Sequence, residues 1–121
     1  IQEGQSVWEG PISLTLQTLE YPSEIQIPIR KEEICVDYDK LQFPLCLRHW
    51  KKGDWFIPFG MKGRKKLSDY FSDHKYCRIE KEQTWLLCSG DDVVWMVGER
   101  LDNRYRIDER TKKVLHVKIS H

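Results

Sequence analysis

Alternation of apolar and polar residues toward both ends of the chain constrains its fold most. Ile12, Leu14 and Leu16 alternate with Ser13, Thr15 and Gln17. Ile25, Ile27 and Ile29 alternate with Gln26 and Pro28, and Ile34, Val36 and Tyr38 with Cys35 and Asp37. Leu115, Val117 and Ile119 repeat the pattern late in the chain. Side chains on a strand point to opposite faces in turn, so period two with β-branched residues predicts half-buried strands. Pro28 removes a ladder donor and predicts an edge strand; Pro44 marks an edge or bulge in the extended run 41–50. Residues 84–88 and 93–97 flank Ser89-Gly90-Asp91-Asp92, which predicts a hairpin. Tyr38-Asp39-Lys40, Gly53-Asp54 and Pro58-Phe59-Gly60 read as turns.

The period changes in one place. Leu67, Tyr70, Phe71 and His74 fall on one face of a helix, which predicts a helix over about 65–75 with Leu67 and Phe71 buried. Lys75 suits its C-terminal end, and 78–83 reads as a shorter helical turn. With 121 residues the chain makes one ordinary domain, 1–121, mainly β (β-rich α+β) with one clear helix.

The net charge of +1 hides an asymmetry. Residues 1–47 carry 3 basic and 8 acidic side chains; residues 48–81 carry 10 basic and 4 acidic. A basic middle is the footprint of a domain that meets a polyanion on one face. No apolar run approaches the roughly 20 residues that span a bilayer, so no membrane partner is expected. Ile1-Gln2-Glu3-Gly4 lacks the basic start and apolar run of a signal peptide, and the missing Met points to a piece of a longer chain. Cys35, Cys46, Cys77 and Cys88 have no paired spacing and read as reduced thiols in a cytoplasmic protein. The scattered histidines give no metal-ligand spacing, so no metal is expected.

Lys62, Arg64, Lys65 and Lys66 crowd the expected helix start, which has no capping side chain and no acid. A phosphate would accept from the free N–H groups and neutralise the cations, with Gly60 and Gly63 allowing close approach. Water, with Lys65 pairing Asp69, is the structural alternative. Arg48 and Lys52 beside Trp50, and Arg100, Arg104 and Arg106 later, extend the basic surface. Against this, Trp50, Trp55, Phe56 and Phe59 suit a core, and Arg104 and Arg106 have Asp102 and Asp108 to pair with. No phosphate loop and no convergent acid–base group appears, so no catalytic residue is expected. A protein-interaction β-domain and an enzyme built on His74 and Cys77 are the rival readings.

Phe43-Pro44-Leu45, Arg48-x-Trp50, Gly53-Asp54, Pro58 and Gly60-Met61-Lys62-Gly63-x-Lys65-Lys66-Leu67-Ser68-Asp69-x-Phe71-x-Asp73-x-Lys75 form a specific pattern. It continues through Val94-Trp95-x-Val97-Gly98-x-Arg100-x-Asp102-x-Arg104 and Thr111-Lys112-Lys113. It resembles the C-terminal domain of the tRNA(Ile)-lysidine synthase family over about 40–118, and departs at Cys77, Lys81 and Trp85. The resemblance implies a β-sandwich akin to a domain of the phenylalanyl-tRNA synthetase β chain. In it, residues 1–40 would supply leading strands and 41–121 the family-like core. It implies a parent ligase that adenylates the wobble cytidine of an AUA-reading tRNA(Ile) and joins lysine to it. ATP with magnesium would act in an N-terminal catalytic domain absent here, leaving no cofactor in this one. The implied partner is the acceptor stem of tRNA(Ile), gripped without reading bases and in a way that helps reject similar tRNAs. Pairing of two copies as a homodimer is left open.

Overall fold

A computed structural model describes residues 1–21 and 30–120. The elements run β1 (Val7–Trp8), β2 (Ser13–Glu20), β3 (Glu33–Asp37), β4 (Leu45–His49), β5 (Trp55–Phe56) and β6 (Lys65–Lys66). Then follow α1 (Leu67–Asp73), α2 (Arg78–Glu82), β7 (Trp85–Ser89), β8 (Asp92–Met96), β9 (Arg100–Leu101) and β10 (Lys113–Ser120). The expected strand at Ile25, Ile27 and Ile29, with Pro28, lies outside the described residues.

The strands build two antiparallel sheets, ordered β1-β2-β10-β3 and β4-β7-β8-β9, with β5 and β6 as a separate ribbon. Leu14 and Leu16 of β2 are buried while Thr15 and Gln17 are exposed, as their alternation requires. With Ile34, Val36, Leu115 and Val117 they meet Leu45, Leu87, Val94 and Trp95 of the second sheet in one core. The other face of that sheet presents Leu86, Cys88, Val93 and Met96 to Phe56 and to Leu67, Tyr70 and Phe71 of α1. The molecule is therefore a β-sandwich with a helix layered on one side.

Being covered on both faces explains why β7 and β8 are apolar runs without a polar side. The β7–β8 register jumps from Leu87↔Trp95 to Cys88↔Val93, leaving Val94 as an extra residue on β8. The bulge turns Val94 and Trp95 into the same core. Gly90 opens the two-residue loop of this hairpin with φ of 56°, the conformation a type II′ turn needs at that place. The Phe43–Pro44 bond is cis, and β4 behind it is an edge strand, as Pro44 suggests.

The helix is shorter than its spacing suggests. Lys65 and Lys66 are extended and pair across to Phe56 and Trp55, so α1 begins at Leu67. Lys75 does not lie in its last turn. It takes φ of 56° at the end of a Schellman turn, with Tyr76 N–H donating to Phe71 O at 2.9 Å and Lys75 N–H to Ser72 O at 3.2 Å. Leu67 and Phe71 are buried as expected, while His74 is exposed.

Candidate nucleic-acid interface

The β5–β6 ribbon sorts its residues between two faces, because directly opposed residues share a side. Phe56 is buried, and Lys65 opposite it ion-pairs Asp73 of α1. The hydrogen bond from Lys65, with its charge, holds the Asp73 carboxyl below its usual range. Trp55 and Lys66 take the other face, and Arg64, two residues before Lys66, joins them. The Arg64 guanidinium carbon lies 4.1 Å from the Trp55 ring centre and that of Arg104 lies 4.6 Å away. One indole thus carries two guanidinium groups.

Two adjacent cations repel unless one is neutralised, and Arg104 is. It donates to Asp102 through its backbone N–H at 2.7 Å, Nε at 3.0 Å and Nη2 at 3.0 Å, and it pairs Asp92 at 3.1 Å. Asp102 is fully buried and also accepts from Ile57 N–H at 2.9 Å. Asn103 accepts from Gly60 N–H at 3.1 Å and donates its own N–H to Ile57 O at 2.6 Å. The Asp102–Asn103 corner therefore holds the loop that leads from β5 into the basic stretch. Arg64 has no acid within 4.0 Å among the described residues, so its charge remains available.

The structure divides the nominated cations. Arg48 makes a two-pronged pair with Asp54, at 2.9 Å on both prongs, and is built into the fold. Burial works to raise the Asp54 pKa, but the hydrogen bonds from Arg48 and Lys51 outweigh it and hold the carboxyl below its ordinary value. Arg104 pairs internally with Asp102, the alternative that the sequence offers for it, and Lys65 is internally paired as well, so neither charge is left for a phosphate. Lys65 pairs Asp73 rather than Asp69. Arg100 donates to Phe59 O at 2.8 Å and Arg106 to Asn103 at 3.3 Å; Asp108 is taken by Lys40 at 2.9 Å. Lys52, Lys62 and Lys66 are exposed and make no ion pair among the described residues. Arg64 joins them as the fourth outward cation.

The helix start lies later than its spacing suggests, with Lys66 as an N-cap that makes no side-chain cap bond. α1 has seven residues, Asp69 stands in its first turn, and Leu67 N–H donates to Asp54 O at 3.0 Å. Of the outward cations, Arg64 and Lys66 occupy a strand face, Lys62 the loop before it and Lys52 the turn between β4 and β5. Phe59 and Met61 in that loop are 50% and 45% exposed, an apolar pair flanking the charges. Phe56 is core, and Trp50 packs edge-on against Phe71 at 4.9 Å. The role of Trp55 as an arginine platform has no signal in the sequence, since two-residue strands show no period. His74 and Cys77 do not act together: His74 stacks on Tyr70 at 3.9 Å, and Cys77 caps α2 with Glu80. Among the described residues no helix is long and apolar enough to cross a membrane.

Solved structures share the architecture. A crystal structure of a TILS C-terminal domain superposes with a TM-score of 0.74 over 89% of this chain and 82% of that one, at 18% identity. An N-terminal fragment of the phenylalanyl-tRNA synthetase β-subunit from Pyrococcus horikoshii gives 0.60 over 75% of this chain and 29% of that one, at 23% identity. Sequence relatives are closer. A tRNA(Ile)-lysidine synthase of Parabacteroides distasonis is 68% identical over 107 residues, 88% of this chain and 24% of the relative. That of Bacteroides thetaiotaomicron is 48% identical over 109 residues, 90% of this chain and 26% of the relative. The chain thus spans about a quarter of the length of the curated relatives it matches. Residues 45–119, which hold the ribbon, the Asp102 corner and most of the sandwich, match the model of the TilS substrate C-terminal domain, and the chain belongs to that family.

Proposed function

We propose that the chain is the tRNA-gripping C-terminal domain of a tRNA(Ile)-lysidine synthase. The parent enzyme joins lysine to the wobble cytidine of tRNA(Ile) in the cytoplasm, with ATP and magnesium handled by a separate N-terminal domain. This domain holds the acceptor stem and carries no catalytic group or cofactor of its own. The observation that carries the reading is Arg64 stacked on Trp55 with Lys66 on the same face and exposed Lys62 in the loop before it, cations without an acidic partner among the described residues. Double-stranded RNA presents phosphates and 2′-hydroxyls across a shallow groove, and a stiff basic ribbon suits that surface better than a base-reading pocket would. Arg64, oriented by the indole, presents a planar fork to phosphate, while Lys62 and Lys66 act as point charges.

The test is a salt titration of tRNA binding by the Lys62→Ala/Lys66→Ala variant. Neither side chain makes an ion pair among the described residues, so the thermal midpoint should not fall. Loss of two phosphate contacts should make the slope of log K against log salt shallower by about 1.4–1.8, at roughly 0.7–0.9 per contact. In the longer enzyme the loss should appear mainly in the KM for tRNA. An unchanged slope would reject the ribbon as the RNA surface.

A protein-docking surface is the second reading, favoured by the exposed Phe59 and Met61. It predicts salt-insensitive binding that Phe59→Ser/Met61→Ser abolishes.

A further inference from the structure

Among the described residues strand β4 is an edge of the second sheet, yet its outer side is already partly engaged. Ile1 N donates to Leu45 O at 2.5 Å, and Leu45 N–H donates back to Ile1 O at 2.7 Å. Two reciprocal bonds between one residue pair are the signature of a hydrogen-bonded antiparallel pair. The same alternation follows from the other side of the sheet. Val97 N–H donates to Trp85 O, so Trp85 and Leu87 turn their backbone groups to β8, while Leu86 and Cys88 turn theirs to β4. Cys46 and Arg48, opposite Cys88 and Leu86, are therefore the β4 residues bonded to β7. Leu45, Leu47 and His49 point their N–H groups outward, as do the Leu45 and Leu47 carbonyls, while the His49 carbonyl accepts from Arg48 Nη1 at 3.0 Å.

From Ile1 the antiparallel direction runs backward along β4 toward His49. In the relatives this region lies at the C-terminal end, with about three quarters of each protein outside the match. We infer that the residues preceding Ile1 in the longer synthase add a fifth strand to the edge of β4, the residue two places upstream facing Leu47 and that four places upstream facing His49. This rests on the reading of the chain as part of a longer synthase. The strand would bring the connection to the rest of the enzyme in beside the basic Lys51-Lys52 turn that follows β4. It would also cover an edge that otherwise templates unwanted pairing.

Amide hydrogen exchange tests this in the longer synthase, compared with the 121-residue chain. Cys46 and Arg48 amides, bonded to β7, serve as internal controls and should be slow in both. Leu47 and His49 amides should exchange freely in the short chain and at least ~100-fold more slowly in the long one. Proline two places upstream of Ile1 should release Leu47 while leaving Cys46 slow. Fast Leu47 exchange in the long protein overturns the inference. So does slow exchange already present in the short chain, or protection that depends on protein concentration, which would assign the edge to a second copy. A failure of tRNA binding would leave the exchange pattern untouched, so the two readings fail separately.

Discussion

Replacing Asp102 with alanine probes the corner on which the basic ribbon depends. The carboxylate is wholly buried and accepts from Ile57 N–H at 2.9 Å and from Arg104 N–H, Nε and Nη2 at 2.7, 3.0 and 3.0 Å. Two stranded backbone donors cost about 1 kcal/mol each. Arg104 loses its buried partner but keeps Asp92 at 3.1 Å, which moderates the penalty. The total should fall at about 3–4 kcal/mol, the lower part of the range for breaking a buried ion pair. Urea unfolding measures it, as a lower midpoint with an unchanged slope. Arg104→Ala should cost less in the Asp102→Ala background than in the wild type, by about 1 kcal/mol or more, because the two side chains form one unit. Arg104→Ala alone should also leave the salt dependence of tRNA binding unchanged, since its charge is spent inside the protein. A cost below about 1 kcal/mol for Asp102→Ala, or a shallower salt slope for Arg104→Ala, would refute the division between structural and outward-facing arginines.

The other expectations are briefer. Arg64→Lys keeps the charge but loses the planar stack on Trp55, so tRNA affinity in a filter-binding assay should drop about 2–5-fold, the equivalent of an exposed cation–π contact. Lys75→Gly should stabilise the protein by about 0.5–1 kcal/mol in chemical denaturation, because Lys75 holds φ of 56° where glycine carries no Cβ penalty. Alkylation at neutral pH should label exposed Cys46 and Cys77 quickly and spare Cys35 and Cys88, whose thiols burial pushes up to about 11. The Asp54 carboxyl is held below the ordinary aspartate value of 3.8 in the folded state, so the Arg48–Asp54 clamp contributes fully above that value and is lost as pH falls through the folded pKa. The thermal midpoints of wild type and Asp54→Asn should therefore differ at pH 6 and converge as pH drops below 3.8.

Where one element repeats a period over several residues, the sequence carries its structure. Leu14 and Leu16, Ile34 and Val36, and Leu115 and Val117 all fall on the face that their alternation assigns. The Leu67, Tyr70 and Phe71 face is equally plain. The helix start was misplaced because Lys65 and Lys66 favour helix locally but are drawn into a strand by Trp55 and Phe56, a tertiary preference with no local trace. The candidate site was half legible for the same reason. A run of cations announces a basic surface, but which charges are spent internally depends on partners such as Asp73 for Lys65, eight residues on, or Asp54 for Arg48 across a turn. Arg104 beside Asp102 was the readable exception, a neighbour in sequence as well as in space.

The placement of β10 between β2 and β3 has a consequence for assembly. Lys113 faces Glu20 and Ser120 faces Ser13, pairings that join residues about a hundred positions apart. Among the described residues the first sheet's one local pairing is the short β1–β2 contact, whereas β7 and β8 close across two residues. Chain-closure entropy then orders the events, with the hairpin and its helix early and the first sheet last. Until β10 docks, β2 and β3 both expose unpaired edges. A chain cut before Lys113 should therefore be soluble only with its missing strand supplied in trans, and a synthetic peptide of residues 113–120 is the natural complement with which to restore it.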